Sequence, residues 1–187
     1  MTVHKIKQIV TKMAAFVLVL AVLLSSGLFA ATEVFAAQSD TNEESGYRYV
    51  LDDDAGFIED NKEILNRVKE ITQYCNVAVV TTTSHSYRST ESYAVAMFES
   101  YFGDGADGVV FVIDRDLNEI YLASEGSTRR ILSNAKCRTI CDNTYIYATE
   151  GHNYDYDTCC KETLTQVNTL LSGGHITQPM RYISSIF

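Results

Sequence analysis

The sequence predicts an α/β fold, a three-layer α/β/α sandwich built on a small mixed sheet. Two apolar runs rich in β-branched residues, at 76–82 and 109–113, predict buried strands. The segment between them has apolar residues at helical spacing, so the three form a strand–helix–strand unit with parallel strands. An alternating segment at 119–123 follows a short turn and should run antiparallel, and further helical stretches supply helices for both faces of the sheet.

The first 36 residues have the pattern of an export signal. Three lysines lie within the first twelve residues, and an apolar run from Met13 to Ala31 follows them. The sequence Val34-Phe35-Ala36 fits a signal-peptidase site and predicts cleavage after Ala36. The apolar run is also nearly long enough to span a bilayer, so an uncleaved N-terminal anchor is the alternative. In both cases we expect an extracytoplasmic domain, secreted or tethered.

The predicted domain spans residues 47–172, after a polar, flexible linker at 37–46 and before a short tail at 173–187. Asp and Gly residues at 52–56 predict a turn before the first helix. Ser89 predicts the N-cap of the helix within the strand–helix–strand unit. In chain order we expect a strand at 47–51, a helix at 57–74, a strand at 76–82, a helix at 89–102, strands at 109–113 and 119–123, and helices at about 128–148 and 154–172.

The charge balance restricts the classes of partner. The chain has 15 basic and 24 acidic residues, and 12 and 23 of these follow Ala36, which gives that part a net charge of −11. A domain this acidic has no electrostatic reason to bind nucleic acid or an anionic membrane surface. No dinucleotide fingerprint or phosphate-binding loop occurs, so no dinucleotide cofactor is expected. Its acids can bind cations such as calcium, although solvated surface acids are the commoner case.

The five cysteines leave two interpretations open. Cys137 and Cys141 share one face of a predicted helix, and Cys159 and Cys160 begin the next helix. A disulfide between the two helices is compatible with export. The alternative is buried reduced thiols, because a free cysteine behaves as a small core residue. The odd count, which includes Cys75, leaves at least one cysteine without a partner in the chain.

Six segments, in order, resemble the TPM domain family, which is named for a thylakoid-lumen phosphatase, a photosystem protein and a receptor modulator. They are VLDDDAGFIED at 50–60, NVAVVTTTSH at 76–85, STESYAVAMFESYFG at 89–103, ADGVVFVIDRDLNEIYLASEG at 106–126, SNAKCRTICD at 133–142 and EGHNYDYDTCCKETL at 150–164. The resemblance covers about 47–172. The sequence differs from the family's pattern at Asn134, where an Asp is common. It also differs at 181–187, a segment too short for the transmembrane helix that many bacterial members have.

Acidic residues near the ends of the predicted strands form two candidate groups. Carboxyl ends of parallel strands meet at one edge, which is where open α/β sheets bind ligands. That edge should gather Asp53, Asp54, His85, Asp114 and Asp116.

The opposite edge should gather the second group, Asp104, Asp107 and Glu125, through the glycine-rich loop 103–108. Calcium takes several oxygen ligands from carboxylates and carbonyls on adaptable loops, so either group is a candidate metal site. The resemblance implies divalent-cation binding and places Asp53 and Asp107 at or next to the acidic positions of the family's motifs.

Two functions remain as hypotheses. The first is a non-catalytic module that binds calcium or another divalent cation and assists envelope protein assembly or quality control through an envelope or membrane protein partner. The second, implied by the resemblance, is a metal-dependent acid phosphatase acting on phosphomonoesters, with His85 as the candidate general acid or base. The first is favoured, because no compact set of acids with Arg or Lys can be placed and Asn134 removes one charged ligand.

Overall fold

The computed structural model describes residues 37–178, and a five-stranded mixed sheet lies at the centre of this part of the chain. The strands, which lie side by side in chain order, are β1 (Gln38–Thr41), β2 (Arg48–Asp53), β3 (Asn76–Thr82), β4 (Gly108–Asp114) and β5 (Glu119–Glu125). β2, β3 and β4 are parallel, whereas β1 and β5 run antiparallel to their neighbours. The predicted parallel unit and the antiparallel strand after it are therefore confirmed.

Within the described part of the chain, four α-helices cover the two faces of this sheet. They are α1 (Asn61–Ile71), α2 (Thr90–Phe102), α3 (Asn134–Thr144) and α4 (Tyr156–Leu171). Side chains of α2 pack on one face, and those of α1, α3 and α4 pack on the other. This arrangement confirms the predicted α/β fold of three layers.

The central strands β3 and β4 are buried on both faces because they consist almost entirely of apolar residues. Successive side chains of a strand point to opposite faces, so Val77 and Val79 join the core under α1, α3 and α4. Ala78 and Val80 join the core under α2, where Phe98 is 1% exposed. This alternation, which we call strand parity, thus separates the interior into two cores. It also determines the face of the sheet on which each polar residue at the strand ends lies.

Local polar residues set where the helices begin. The Ser89 hydroxyl accepts from the amide of Ser92 at 3.1 Å, as its predicted capping role requires. The first helix begins at Asn61 rather than at 57, because the Asp157 carboxylate of α4 accepts from the backbone amides of Glu59 and Asp60 and holds this segment outside the helix. Asp60 then caps α1 by accepting from the amide of Glu63 at 3.3 Å.

The structure corrects the prediction of a flexible linker at 37–46, because Gln38–Thr41 forms the edge strand β1. This strand is exposed along its whole length, so it lacks the apolar alternation that reveals a strand in a sequence. Backbone pairing with β2 holds it in place. The turn after it is closed by Asn42, whose side-chain oxygen accepts from the amide of Glu44 at 2.9 Å.

The long helix predicted at about 128–148 is divided in the structure. A 3₁₀ turn at Gly126–Arg130 precedes α3, and 3₁₀ turns at Tyr145–Ala148 and Glu150–His152 follow it. Within 37–178, no helix has the length and apolarity needed to cross a membrane. The predicted export signal at 1–36 and the tail from 179 onward lie outside the described residues.

All five cysteines carry free thiols in the structure. Four of them are buried and Cys141 is half-buried. Burial raises the pKa of the Cys75, Cys141 and Cys159 thiols to about 12. The thiolate is the reactive form of cysteine, so these side chains are chemically inert core residues in the native state.

We therefore expect a thiol-reactive reagent to label the native protein very slowly and the denatured protein at all five cysteines. The measurement is a thiol count on unreduced protein, with and without denaturant. A denatured sample with two fewer reactive thiols would contain a disulfide and contradict this prediction.

Candidate cation site at the carboxyl edge of the sheet

The parallel strands β2, β3 and β4 end at one edge of the sheet, and polar side chains collect there. Asp53 pairs with Thr81 in the register of β2 and β3, and Thr82 pairs with Asp114 in the register of β3 and β4. Asp52 and Asp54 flank Asp53 in the sequence. This edge therefore brings together most of the first predicted group.

Asp53 faces the core under α1 and α4, where it closes the turn after β2. Its carboxylate accepts from the backbone amides of Phe57 at 2.9 Å and Ile58 at 3.0 Å, and from the Thr81 hydroxyl at 2.5 Å. The residue is only 5% exposed. Its oxygens are thus engaged in holding the turn, so the predicted metal ligand Asp53 has a structural role in this geometry.

Asp52 lies on the opposite face, beside α2, because side chains alternate along the strand, and Asp54 follows in the turn after β2. Asp52 is half-buried and accepts a hydrogen bond from the hydroxyl of Tyr101, whereas Asp54 is exposed. Burial, the hydrogen bond to Asp52 and the nearby charges raise the pKa of Tyr101, and burial with the charges of Asp52 and Asp54 raises that of Tyr93. The charges of both carboxylates therefore act on both tyrosines, and we call Asp52, Asp54, Tyr93 and Tyr101 the Asp52–Asp54 cluster.

His85 and Asp114 form a buried pair next to this cluster. The Nε2 atom of His85 lies 2.8 Å from Oδ2 of Asp114, and their side chains are 3% and 0% exposed. The His85 ring also stacks on Tyr93, with ring centroids 4.5 Å apart. The Thr90 hydroxyl lies 2.7 Å from the same Asp114 oxygen and 2.8 Å from Oε2 of Glu119.

The tautomer of His85 follows from its two hydrogen bonds. Nδ1 accepts from the backbone amide of Tyr87 at 3.2 Å, so the ring proton is on Nε2, which donates to Asp114. Both ring nitrogens are therefore occupied within the protein. A general acid or base needs a nitrogen within reach of its substrate, and this arrangement leaves none free.

Asp116 contributes to the loop after β4. Its backbone amide donates to Oδ1 of Asp114 at 2.9 Å, and its own carboxylate accepts from the His85 amide at 3.5 Å. The first predicted group thus divides into three parts: the buried turn carboxylate Asp53, the His85–Asp114 pair with Asp116 beside it, and Asp54, which lies in the Asp52–Asp54 cluster.

The second predicted group, at the opposite edge, is held by hydrogen bonds and an ion pair. Asp107 accepts from the backbone amide of Ser127, which lowers the pKa of that carboxyl below its ordinary value of 3.8. Both oxygens of Glu125 bond to Nη2 of Arg129 at 2.7 Å. Asp104 is exposed on the same loop as Asp107. Two of these three carboxylates are therefore already paired within the protein.

Sequence reasoning missed Asp52, Tyr93 and Tyr101. The signal that could have found them is the two-residue period of β2: Val50 faces the core under α2, so Asp52 continues along that face, and Asp54 follows in the turn. Across residues 37–178, the structure groups no set of three or more His, Cys, Asp or Glu side chains in a way that could hold a metal ion. A cation at the Asp52–Asp54 cluster would therefore need water for most of its coordination.

Comparison with known proteins gives one family and one fold. Residues 51–170 match the family model described as the TPM domain. No curated protein matches the sequence. Among solved structures, the solution NMR structure of the N-terminal domain of a protein from P. gingivalis superimposes with a TM-score of 0.57 at 18% identity, covering 66% of this chain and 81% of that chain. At this identity the likeness concerns the fold alone.

Proposed function

The chain belongs to the TPM domain family. We propose that its domain is a non-catalytic module that binds a divalent cation, with calcium as the first candidate. In this proposal the module is exported and assists the assembly or quality control of envelope proteins by binding one of them. The observation that carries the cation-binding part is the pair of carboxylates, Asp52 and Asp54, on the same side of the carboxyl edge of the sheet.

The chemistry of the Asp52–Asp54 cluster supports a hard, positively charged ligand. Calcium prefers carboxylate, hydroxyl and water oxygens and accepts irregular geometry, which a site with few protein ligands requires. Asp54 is exposed, so the site is open to a hydrated ion. Asp52 is oriented by the hydroxyl of Tyr101, so one ligand is already fixed before the ion binds. We expect weak binding, because water supplies most of the coordination.

The state of His85 supports the non-catalytic interpretation over the phosphatase. Phosphomonoester hydrolysis needs a group that moves a proton and cationic groups that stabilise the phosphoryl oxygens. Both nitrogens of His85 are engaged with Tyr87 and Asp114, and its side chain is 3% exposed. The acidic cluster beside it would repel a phosphate unless a metal ion were bound there.

Export and the envelope partner rest on the sequence of residues 1–36 and on the acidic charge of the rest of the chain. A negative surface favours basic regions of a partner over anionic lipid or nucleic acid. Fractionation of cells that express a tagged chain tests this part, and recovery of the tagged domain in the cytoplasm would contradict it.

The cation-binding part predicts that calcium stabilises the domain. A ligand that binds only the native state raises the melting temperature, by about 3–5 °C when calcium is about ten times its dissociation constant. The double variant Asp52→Asn plus Asp54→Asn should lose this shift, because amides bind calcium far less well than carboxylates. The measurement is thermal unfolding with a chelator and with millimolar calcium.

The matched control is Asp104→Asn, which removes an exposed acid at the other edge of the sheet and should keep the full calcium shift. An unchanged melting temperature in calcium, or a shift that survives the double variant, would contradict the proposed site. The same proteins should be assayed with a generic phosphomonoester. Hydrolysis that the double variant or a chelator abolishes would replace the proposal with the metal-dependent phosphatase.

A further inference from the structure

An open groove runs along the outer edge of β5, between α2 and α3, with a volume of about 780 Å³. Residues 119–123 of β5 line its floor, and Glu91 of α2 lies on one wall. Arg138 and Asp142 of α3 lie on the other wall, together with Tyr145 after it, which is 41% exposed. This groove is on a different edge of the sheet from the Asp52–Asp54 cluster.

Within residues 37–178 the sheet has two edge strands, and they differ in how they avoid further pairing. β1 has four residues, all exposed and polar, so it offers little to another strand. β5 has seven residues, and the five between Glu119 and Glu125 include no charge and no proline. The centre of β5 therefore lacks the charges and prolines that commonly protect an edge strand.

The outer side of β5 presents backbone hydrogen-bonding groups to the groove. The Ser124 carbonyl accepts from Nε of Arg129, in the 3₁₀ turn after β5, at 2.8 Å. Arg129 does not belong to β4, so this carbonyl points away from the sheet. Alternate amides and carbonyls along the same edge must point the same way, since β5 pairs with β4 on its other side only.

The charged residues that line the groove indicate the charge of the segment that binds there. Glu91, Glu119 and Asp142 are exposed acids in the lining, and Arg138 is the basic residue there. This excess of negative charge favours a segment that carries lysine or arginine.

A second copy of the chain fits less well. Antiparallel pairing of two β5 strands about Leu122 would place Glu119 of each copy opposite Glu125 of the other, and both copies are strongly acidic.

We propose that the β5 groove binds an extended, basic segment of a partner protein, which pairs with β5 as a sixth strand of the sheet. Main-chain hydrogen bonds to the outer edge at Ile120 and Leu122, before the Ser124 carbonyl that Arg129 already occupies, supply the affinity, and the acids of the walls supply the preference for lysine and arginine. The half-exposed side chains of Ile120 and Tyr121, with Tyr145, offer apolar contact to the residues between the basic ones.

The test uses a terminally blocked peptide of alternating lysine and valine, labelled for fluorescence anisotropy, with the full chain and a chelator present. We expect saturable binding, with amide NMR shifts concentrated on 119–125. A peptide of the same sequence with alternate backbone nitrogens methylated keeps the charge but loses donors for the strand, so it should bind at least about tenfold more weakly.

Asp142→Lys should also weaken binding about tenfold, whereas Asp40→Lys on β1, the same change at the opposite edge, should not. If the methylated and unmethylated peptides bound equally well, the interaction would be one of surface charge alone and the proposal would be overturned. Equal effects of Asp142→Lys and Asp40→Lys would overturn it as well. A dimer in sedimentation that the peptide does not dissociate would assign the edge to a second copy instead. Because a chelator is present throughout, these outcomes are independent of the proposed cation site.

Discussion

Replacing Asp53 with alanine should lower the free energy of unfolding by about 3 kcal/mol, even though the residue was a predicted metal ligand. The carboxylate accepts from three donors, the amides of Phe57 and Ile58 and the hydroxyl of Thr81. Ile58 is 5% exposed, so its amide is buried and would lose its acceptor with the carboxylate. An unsatisfied buried donor costs more than an average hydrogen bond contributes. Denaturant unfolding at neutral pH measures the change.

Two further variants separate the role of Asp53 from simple loss of an acid. Asp54→Ala removes the exposed neighbour and should change stability by less than about 0.5 kcal/mol. Asp53→Asn should be nearly as damaging as alanine, because all three partners donate and the amide group of asparagine would face at least one of them with a donor. Equal stabilities of the wild type and Asp53→Ala would mean that the turn does not depend on this carboxylate.

The consecutive residues Asp52, Asp53 and Asp54 show how much of the site was predictable. The fold follows from the sequence because apolar periodicity records burial, which is a property of long segments. A carboxylate's role depends on which face it occupies and which donors lie there. Strand parity could have placed Asp52 with Asp54, but the amides that engage Asp53 come from an irregular turn that has no period.

The same limit applies to Asp107 and Glu125 at the other edge. Their partners are Ser127 and Arg129, which belong to a 3₁₀ turn where a continuous helix was predicted from 128. The turn begins at Gly126, whose φ of +60° is accessible to glycine at little cost. A side chain on Gly126 would also meet the carbonyl of Ala106 at 2.8 Å. Such close approach between two loops is a property of the folded chain and has no counterpart in composition or spacing.

Asp114 is the other acidic residue whose loss should be severe. Its carboxylate accepts from the amides of Asp116 and Leu117, from Nε2 of His85 and from the hydroxyl of Thr90. The two amides and Nε2 of His85 donate to it, so the amide group of asparagine would oppose at least one of them with its own donor. We expect Asp114→Asn to reduce the free energy of unfolding by about 2–4 kcal/mol at neutral pH. The His85 ring should also lose its fixed position against Tyr93, which the imidazole NMR signals would report.

The pH dependence of stability provides the sharper test of this carboxylate. Burial alone would raise the pKa of Asp114, but the hydrogen bonds from His85 and Thr90 outweigh it and hold the pKa below the ordinary 3.8. The folded protein then binds fewer protons than the unfolded chain in this range, so the stabilisation is fully present above about pH 5 and is lost as the pH drops further. Asparagine at position 114 cannot titrate, so the difference in free energy of unfolding between wild type and Asp114→Asn should narrow as the solution is acidified from about pH 5 to pH 3.

Asp107→Asn, at the other edge of the sheet, is the comparison variant. The pKa of the Asp107 carboxyl is lowered mainly by one backbone amide. A difference between wild type and Asp114→Asn that stays constant over this range would show that the Asp114 carboxyl has the same pKa in the folded and unfolded chain.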